Sequence, residues 1–519
     1  MSTNEDDRHS RAELLRRAAG LTLAIGAAGS GLGRLLGDGL ARAAAGDAPS
    51  LLSRDERLPS GRGLLAAGRT LPPRAAPRFT LLGLHWQGPG RVFVRTQALD
   101  GAWSGWQHTV THELPDPGTE GIAGWHLGTP VWTEPSAAVQ YRLEGRVDRL
   151  RAHFVWSEPR PLRQPAMAGQ PFIVPRESWG ADESIVRAEP RYAEELHLAV
   201  VHHTAGSTPA TPEESAAVLR AIQVYHVKSN GWNDIGYNFL LDPLGQVFEG
   251  RVGGIERNVI GAHALGFNTG SVGIALLGNF EKKAVTPEAR AALPAFLAWR
   301  LDVGHLDPLS TVTYVSDGTP YELRAISGHR DVNATACPGA KLFPELDAVA
   351  AEAAAIGLPK LFEPAVEVTG KGTVIFRARL SEPRAWSVTV TDANGAQVAR
   401  GEGADVLVDW TWQAAKAPLG YYTYAIEAGP DIRPATGQVT LGGGVPPPAE
   451  EPPPRPPRPA GVPKHIPRWA KQLRYWHLTP KAKRGPRPAG APRPLPSWYW
   501  PWFHWRQALA KWKSQYGGS

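Results

Sequence analysis

Two proline-rich runs, EPRPLRQPAMAGQP at 158–171 and GGGVPPPAEEPPPRPPRPAGVP at 442–463, set the first limit on how this chain folds. Proline donates no backbone hydrogen bond and fixes its own φ, so neither a helix interior nor a central strand continues through such a run. The 519 residues therefore divide into separate bodies, as a chain of this length should. A hydrophobic share of 42% is enough to build real cores between the breaks. The 49 prolines and 56 glycines exceed ordinary usage, and the excess belongs in linkers and turns.

Each body carries its own periodicity. Residues 78–157 alternate apolar and polar positions, as in RVFVRTQ and VQYRLEG, between glycine-rich turns, which predicts an all-β module. Its Trp86, Trp103, Trp106, Trp125 and Trp132 are candidates for a carbohydrate platform, or for core. In residues 172–358 strands alternate with helices. LHLAVVHHT reads as a buried strand, and TPEESAAVLRAIQVYH as a helix opened by Thr211, Pro212 and Glu214. YNFLLDPLGQVFEG reads as a hairpin, SVGIALLGNF as a central strand, and TPEARAALPAFLAWRL as a second capped helix. This pattern predicts an α/β domain. Residues 363–441 are again strand-rich and predict an immunoglobulin-like β-sandwich. The stretch 442–468 is a semi-rigid proline-rich linker.

The two ends differ in charge. Residues 1–45 hold adjacent Arg16 and Arg17, an apolar run and the small-residue stretch ARAAAGD, which read as a twin-arginine-like export signal. The chain is thus expected to be secreted or held in a cell envelope. From His465 to Ser519 there are eleven Lys or Arg and no acid, so the remaining residues sum to about −4 against the total of +7. The tail, 469–519, also carries seven tryptophans. That composition suits an anionic wall polymer or a membrane surface, and export argues against nucleic acid as the partner.

Export also sharpens the question posed by Cys337, the sole cysteine. It cannot form an internal disulfide, and its context is SGHRDVNATACPG. His329 and Cys337 on one loop offer an imidazole and a thiolate, ligands that zinc favours in tetrahedral sites. A third ligand must come from elsewhere. His202 and His203 close a strand, where successive side chains take opposite faces, so one of the two should reach the cleft.

Together, RESWGA, VVHHTAG, GWNDIGYNFLLDPLGQVFEGR, GAHALGFNTGSVGIALLGNF and GHRDVNATACPG resemble the family of peptidoglycan recognition proteins and zinc-dependent N-acetylmuramoyl-L-alanine amidases. The resemblance spans about 172–350 and implies a mixed sheet flanked by helices. It further implies Zn²⁺ held by His202, His329 and Cys337, catalytic roles for Tyr237 and Thr335, and substrate contacts from His203, His263 and Asn268. The implied reaction is hydrolysis of the amide joining the lactyl group of N-acetylmuramic acid to L-alanine of peptidoglycan. The alternative is a peptidoglycan-binding or wall-anchoring protein without turnover.

Overall fold

The computed structural model describes residues 49–58, 68–112, 124–159, 172–206, 208–369 and 372–442, with short stretches of the tail between 459 and 505. The expected export signal and most of the linker and tail lie outside the described residues. No helix among the described residues is long and apolar enough to cross a membrane.

Among the described residues, the N-terminal module is a nine-stranded antiparallel sheet. Its strands are β1 (Ser50–Glu56), β2 (Arg69–Thr70), β3 (Arg74–Gln87), β4 (Arg91–Ala98), β5 (Gln107–Thr109), β6 (Thr111–His112), β7 (His126–Gly128), β8 (Val131–Glu144) and β9 (Arg149–Trp156). The main path runs β1-β9-β3-β8-β4-β5. The module therefore begins near residue 50, not at 78 as the alternation suggested. β1 is SLLSRDE, and it pairs with β9 from Ser50↔Trp156 to Glu56↔Leu150. It lies at the end of the strand path, where charged side chains are tolerated and discourage further pairing, so its hydrophobic signal is weak.

The central domain has a six-stranded mixed sheet in the order β10-β13-β12-β14-β11-β17. In chain order its elements are β10 (Ile173–Val174), α1 (Arg176–Trp179), β11 (Leu198–His203), α2 (Pro212–Val224), β12 (Phe239–Leu241), β13 (Val247–Glu249), β14 (Ser271–Leu276), α3 (Pro287–Val303), β15 (Thr311–Ser316), β16 (Thr319–Arg324), β17 (Ile326–Gly328), α4 (His329–Val332) and α5 (Leu346–Ala355). β12 and β13 form the expected hairpin, and β14 lies between β12 and β11. Thr211 caps α2 by accepting the Glu214 N–H at 3.2 Å, and Thr286 caps α3 by accepting the Ala289 N–H at 3.3 Å.

One core holds Leu293, Phe296, Leu297 and Leu301 of α3 and Leu346 and Val349 of α5 with sheet residues such as Val201, Ile274 and Leu276. A second core holds Leu219, Ile222 and Val224 of α2 with Leu240 and Phe248 of the sheet, and also with Leu81 of β3 and Val155 of β9. α2 is thus enclosed between two sheets, and Ser215 through Val224 are all buried. A helix buried on every side must satisfy its polar groups internally. Arg220 does so by donating to the Trp179 and Glu158 carbonyls at 2.6 Å each.

The third body comprises β18 (Leu361–Thr369), β19 (Thr373–Leu380), β20 (Trp386–Thr391), β21 (Gln397–Gly403), β22 (Leu407–Gln413), β23 (Gly420–Glu427) and β24 (Ala435–Leu441). A three-stranded sheet, β18-β19-β22, and a four-stranded sheet, β21-β20-β23-β24, share a core that includes Phe376, Val388, Val390, Trp412 and Ile426.

Candidate metal centre

Strand register creates the site. β11 and β17 run parallel with Val201 opposite Gly328, so the next residues, His202 and His329, emerge side by side at the carboxyl ends of the strands. This is where open α/β sheets place their ligand sites. The two rings have centroids 4.4 Å apart. The loop after α4 then returns Cys337, and one ligand atom each from His202, His329 and Cys337 lies within 4.8 Å of the others.

The loop is held by its own backbone. Arg330 N–H donates to the Cys337 carbonyl at 3.0 Å, and the Arg330 guanidinium donates to the Ala336 carbonyl. Thr335 Oγ1 accepts the Cys337 N–H at 3.2 Å. At the start of α4, Asp331 accepts the Gly328 N–H at 2.8 Å and pairs with Arg324 at 2.7 Å. None of Arg330, Asp331 and Arg324 was singled out by sequence; the GHRD run was the available signal for the first two.

Donor chemistry at the trio fits zinc: two imidazoles and one thiol, with three protein ligands leaving a position for a reacting molecule. His202 Nδ1 is 3.8 Å from Cys337 Sγ, while Nε2 is 3.1 Å from His263 Nδ1. With Nδ1 reserved as a lone pair for a metal, Nε2–H donates to His263, which fixes the ring and its tautomer. Burial, with His329 adding to it, pushes His263 down to about 3, so it stays a neutral acceptor. Burial likewise pushes the Cys337 thiol up to about 12, while the His203 N–H, 3.3 Å from Sγ, favours the thiolate. A cation at the trio would complete that preference.

The expected substrate residues His203, His263 and Asn268 also hold their surroundings in place. The His203 ring accepts the Phe280 N–H at 3.2 Å, and its backbone N–H lies 3.3 Å from Cys337 Sγ. Strand alternation sends its ring away from the trio. His263 is buried behind His202. Its ring crosses β14 at Gly273, where any Cβ would come within 2.4 Å of it. Asn268 is buried too, and its Oδ1 accepts the N–H groups of His263 and Ala264 at 2.8 and 3.1 Å. These two order the loop beside the trio.

Tyr237 packs against His202 with ring centroids 5.5 Å apart. Burial, and then the nearby Cys337, hold its phenol well above the usual range, so it stays protonated. His226, which sequence did not single out, sets this segment: Nδ1 accepts the Gly236 N–H at 3.0 Å, and its ring contacts Trp232 and Tyr237. Asn238 adds a second anchor, accepting the Gly273 N–H at 2.8 Å and donating to the Val259 carbonyl at 2.7 Å.

Fold and site together define an α/β domain with a buried His-His-Cys ligand cluster at the carboxyl edge of its sheet, fused to an N-terminal β module. Residues 192–340 match the family model N-acetylmuramoyl-L-alanine amidase, and residues 46–168 match Rv3811 N-terminal galactose-binding domain-like. The chain is 37% identical over 174 residues to peptidoglycan-recognition protein SC2 of Drosophila simulans, covering 34% of this chain and 84% of that protein. It is 36% identical over 172 residues to peptidoglycan recognition protein 1 of Bos taurus, covering 33% and 80%. A solved structure of peptidoglycan recognition protein-LE in complex with tracheal cytotoxin is 32% identical, covering 34% of this chain and 92% of that one with a TM-score of 0.28. The chain belongs to the peptidoglycan recognition protein family.

Proposed function

We propose that the chain is a zinc-dependent N-acetylmuramoyl-L-alanine amidase that cleaves the amide between the lactyl group of N-acetylmuramic acid and L-alanine in peptidoglycan. The observation that carries this reading is the buried His202, His329 and Cys337 set, with ligand atoms within 4.8 Å of one another. Zinc bound there supplies Lewis acidity toward a water and an amide carbonyl. Tyr237 keeps its proton at Oη, and in this reading it donates a hydrogen bond to the carbonyl oxygen as that oxygen gains charge. Thr335 Oγ1 spends a lone pair on the Cys337 N–H and retains its own O–H for the substrate. His263 keeps the His202 ring in one orientation through the reaction.

The test is release of peptide stems from purified cell-wall sacculi, read by mass spectrometry, with chelator, zinc add-back and Cys337→Ser. Zinc-dependent release of stems with a free L-alanine amino terminus, lost in the variant, is the expected result. Sacculi bound but left intact, with no metal dependence, would make the chain a recognition protein instead.

We further read the chain as exported through the signal at 1–45, to act in wall turnover or lysis. The tail is proposed to meet an anionic wall polymer or membrane surface. Its described residues include an apolar cluster of Ala470, Leu473, Tyr499, Trp502 and Phe503, with Trp500 exposed beside it. The C-terminal sandwich is read as immunoglobulin-like. Tyr422 Oη donates to the Pro418 carbonyl at 2.7 Å, the bond of a tyrosine corner.

A further inference from the structure

The loop that carries Cys337 forms only one wall of the groove beside it. Ala334, Thr335 and Ala336 face Arg91, His108, Thr111 and His126 of the N-terminal module across a space of about 670 Å³. That wall is firmly placed. Tyr225 Oη donates to the Gly128 carbonyl at 2.7 Å, and His85 is bonded to Asn230 at 2.9 Å. A Cβ on Gly83 would fall 1.8 Å from the Tyr225 ring, so the two surfaces meet without a gap. The groove is therefore a property of both domains together.

A row of side chains leads into it. Along β4, Val92, Val94 and Thr96 are buried, while Arg91, Phe93 and Arg95 point outward, at about 6.6 Å intervals. The Arg95 guanidinium lies 4.8 and 5.0 Å from the rings of Trp103 and Trp106. Arg142 lies 5.3 Å from Trp106 and 4.3 Å from Phe93, and Phe93 stands 4.7 Å from His108. Rings and cations thus run without interruption from Trp103 to His108 at the mouth of the groove. Phe93, Trp103 and Trp106 are only half-buried.

We propose that this row and the composite groove form one track for the polysaccharide strand of peptidoglycan, with the N-terminal module holding the glycan while the metal centre acts on the stem it carries. The proposal rests on the amidase reading for its substrate. A linear sugar polymer presents hydroxyls to guanidinium and imidazole groups and C–H groups to the part of each half-buried ring that its arginine leaves exposed, repeated along its length, as this row requires. A peptide added as an extra strand is disfavoured, because β4 is already paired with β8 on one side and β5 on the other. The row offers side chains, not a backbone edge.

The test uses the full chain and glycan strands of alternating N-acetylglucosamine and N-acetylmuramic acid freed of their peptides. Such strands contain no scissile amide, so calorimetric binding reads the track even if the chain proves not to hydrolyse anything. Saturable binding is expected, weakened about tenfold by Trp106→Ala and by Arg91→Ala. The Arg91 side chain is 65% exposed, so its removal leaves the core untouched. On sacculi both variants should raise KM with kcat unchanged, and on a single muramyl peptide the rise in KM should be smaller. Absence of strand binding, equal affinity in the variants, or an equal loss on the single muramyl peptide would overturn the proposal. Tighter binding of free stem peptides than of strands, lost in the same variants, would assign the track to peptide and overturn it as well.

Discussion

The two β bodies flanking the central domain are attached in different ways. The N-terminal module is joined through a buried surface: Leu81 and Val155 pack on α2, and the rings of His85, His153 and Tyr225 lie against one another. The C-terminal sandwich keeps its own core and meets the end of α3 largely through polar links. Lys360 Nζ donates to the Ala298 carbonyl at 3.2 Å, Arg379 pairs with Asp307, and Arg433 lies 3.6 Å from Asp302. A surface built of apolar area and close contacts acts as part of one core, whereas partly exposed ion pairs contribute little. The difference teaches that the N-terminal module is a component of the body that carries the His-His-Cys cluster, and the C-terminal one an addition to it.

Deleting whole bodies should give the largest contrast. Removing residues 1–160 exposes the buried face of α2 and should yield an insoluble central domain. Ending the chain at 360 should leave zinc content and stem release intact, as metal analysis and the sacculus assay would show. Equal survival of both truncations would erase the distinction.

Next in size is Tyr237→Phe, which should lower kcat by about 10²–10³-fold through loss of one oxyanion donor. The same loss is expected in the chain ended at 360. A smaller loss there would mean that the C-terminal body shapes the site.

Overpacking the first junction comes third. Gly83→Leu should destabilise by about 3 kcal/mol in urea denaturation, because the Tyr225 ring occupies the space of its Cβ. An unchanged midpoint would show that the two surfaces are not held together in solution.

Acid should act selectively on the same junction. Burial holds His85 down to about 4, and burial together with His85 holds His153 down to about 3. Their ordinary value is 6.5, so the unfolded chain binds protons first. Stability is full above about 6.5 and declines as pH falls toward 4, by about 1.4 kcal/mol per unit for each histidine. Melting curves between pH 7 and 4.5 should show this fall, and His153→Asn should flatten it. The smallest effect is expected from Arg379→Ala, under about 1 kcal/mol, since its side chain is 36% exposed. A larger cost would place the C-terminal body on a par with the N-terminal one.

Much of the central domain was legible because its signals are local. The Thr-Pro-Glu starts of α2 and α3 are capping chemistry written within a few residues, and β11 is a continuous apolar run. The ligand set drew on GHR and CPG plus a His-His pair, and alternation alone left His202 and His203 undecided until the family resemblance chose between them. β1 carries little signal because an edge strand keeps its charges, and composition does not sort the tryptophans. Trp86 is core and Trp132 packs near α2, whereas Trp103, Trp106 and Trp125 lie under arginines at the surface.

Sequence by itself therefore determined the capped helices, the buried strands and the singular thiol, since each depends on residue type and short-range spacing. Tertiary structure alone decided that Val201 stands opposite Gly328, that His263 and Asn268 lie behind the trio, and that the N-terminal module closes one side of the groove. Those outcomes depend on which surfaces meet across about 60 to 250 residues of chain, a distance over which neither periodicity nor capping carries information.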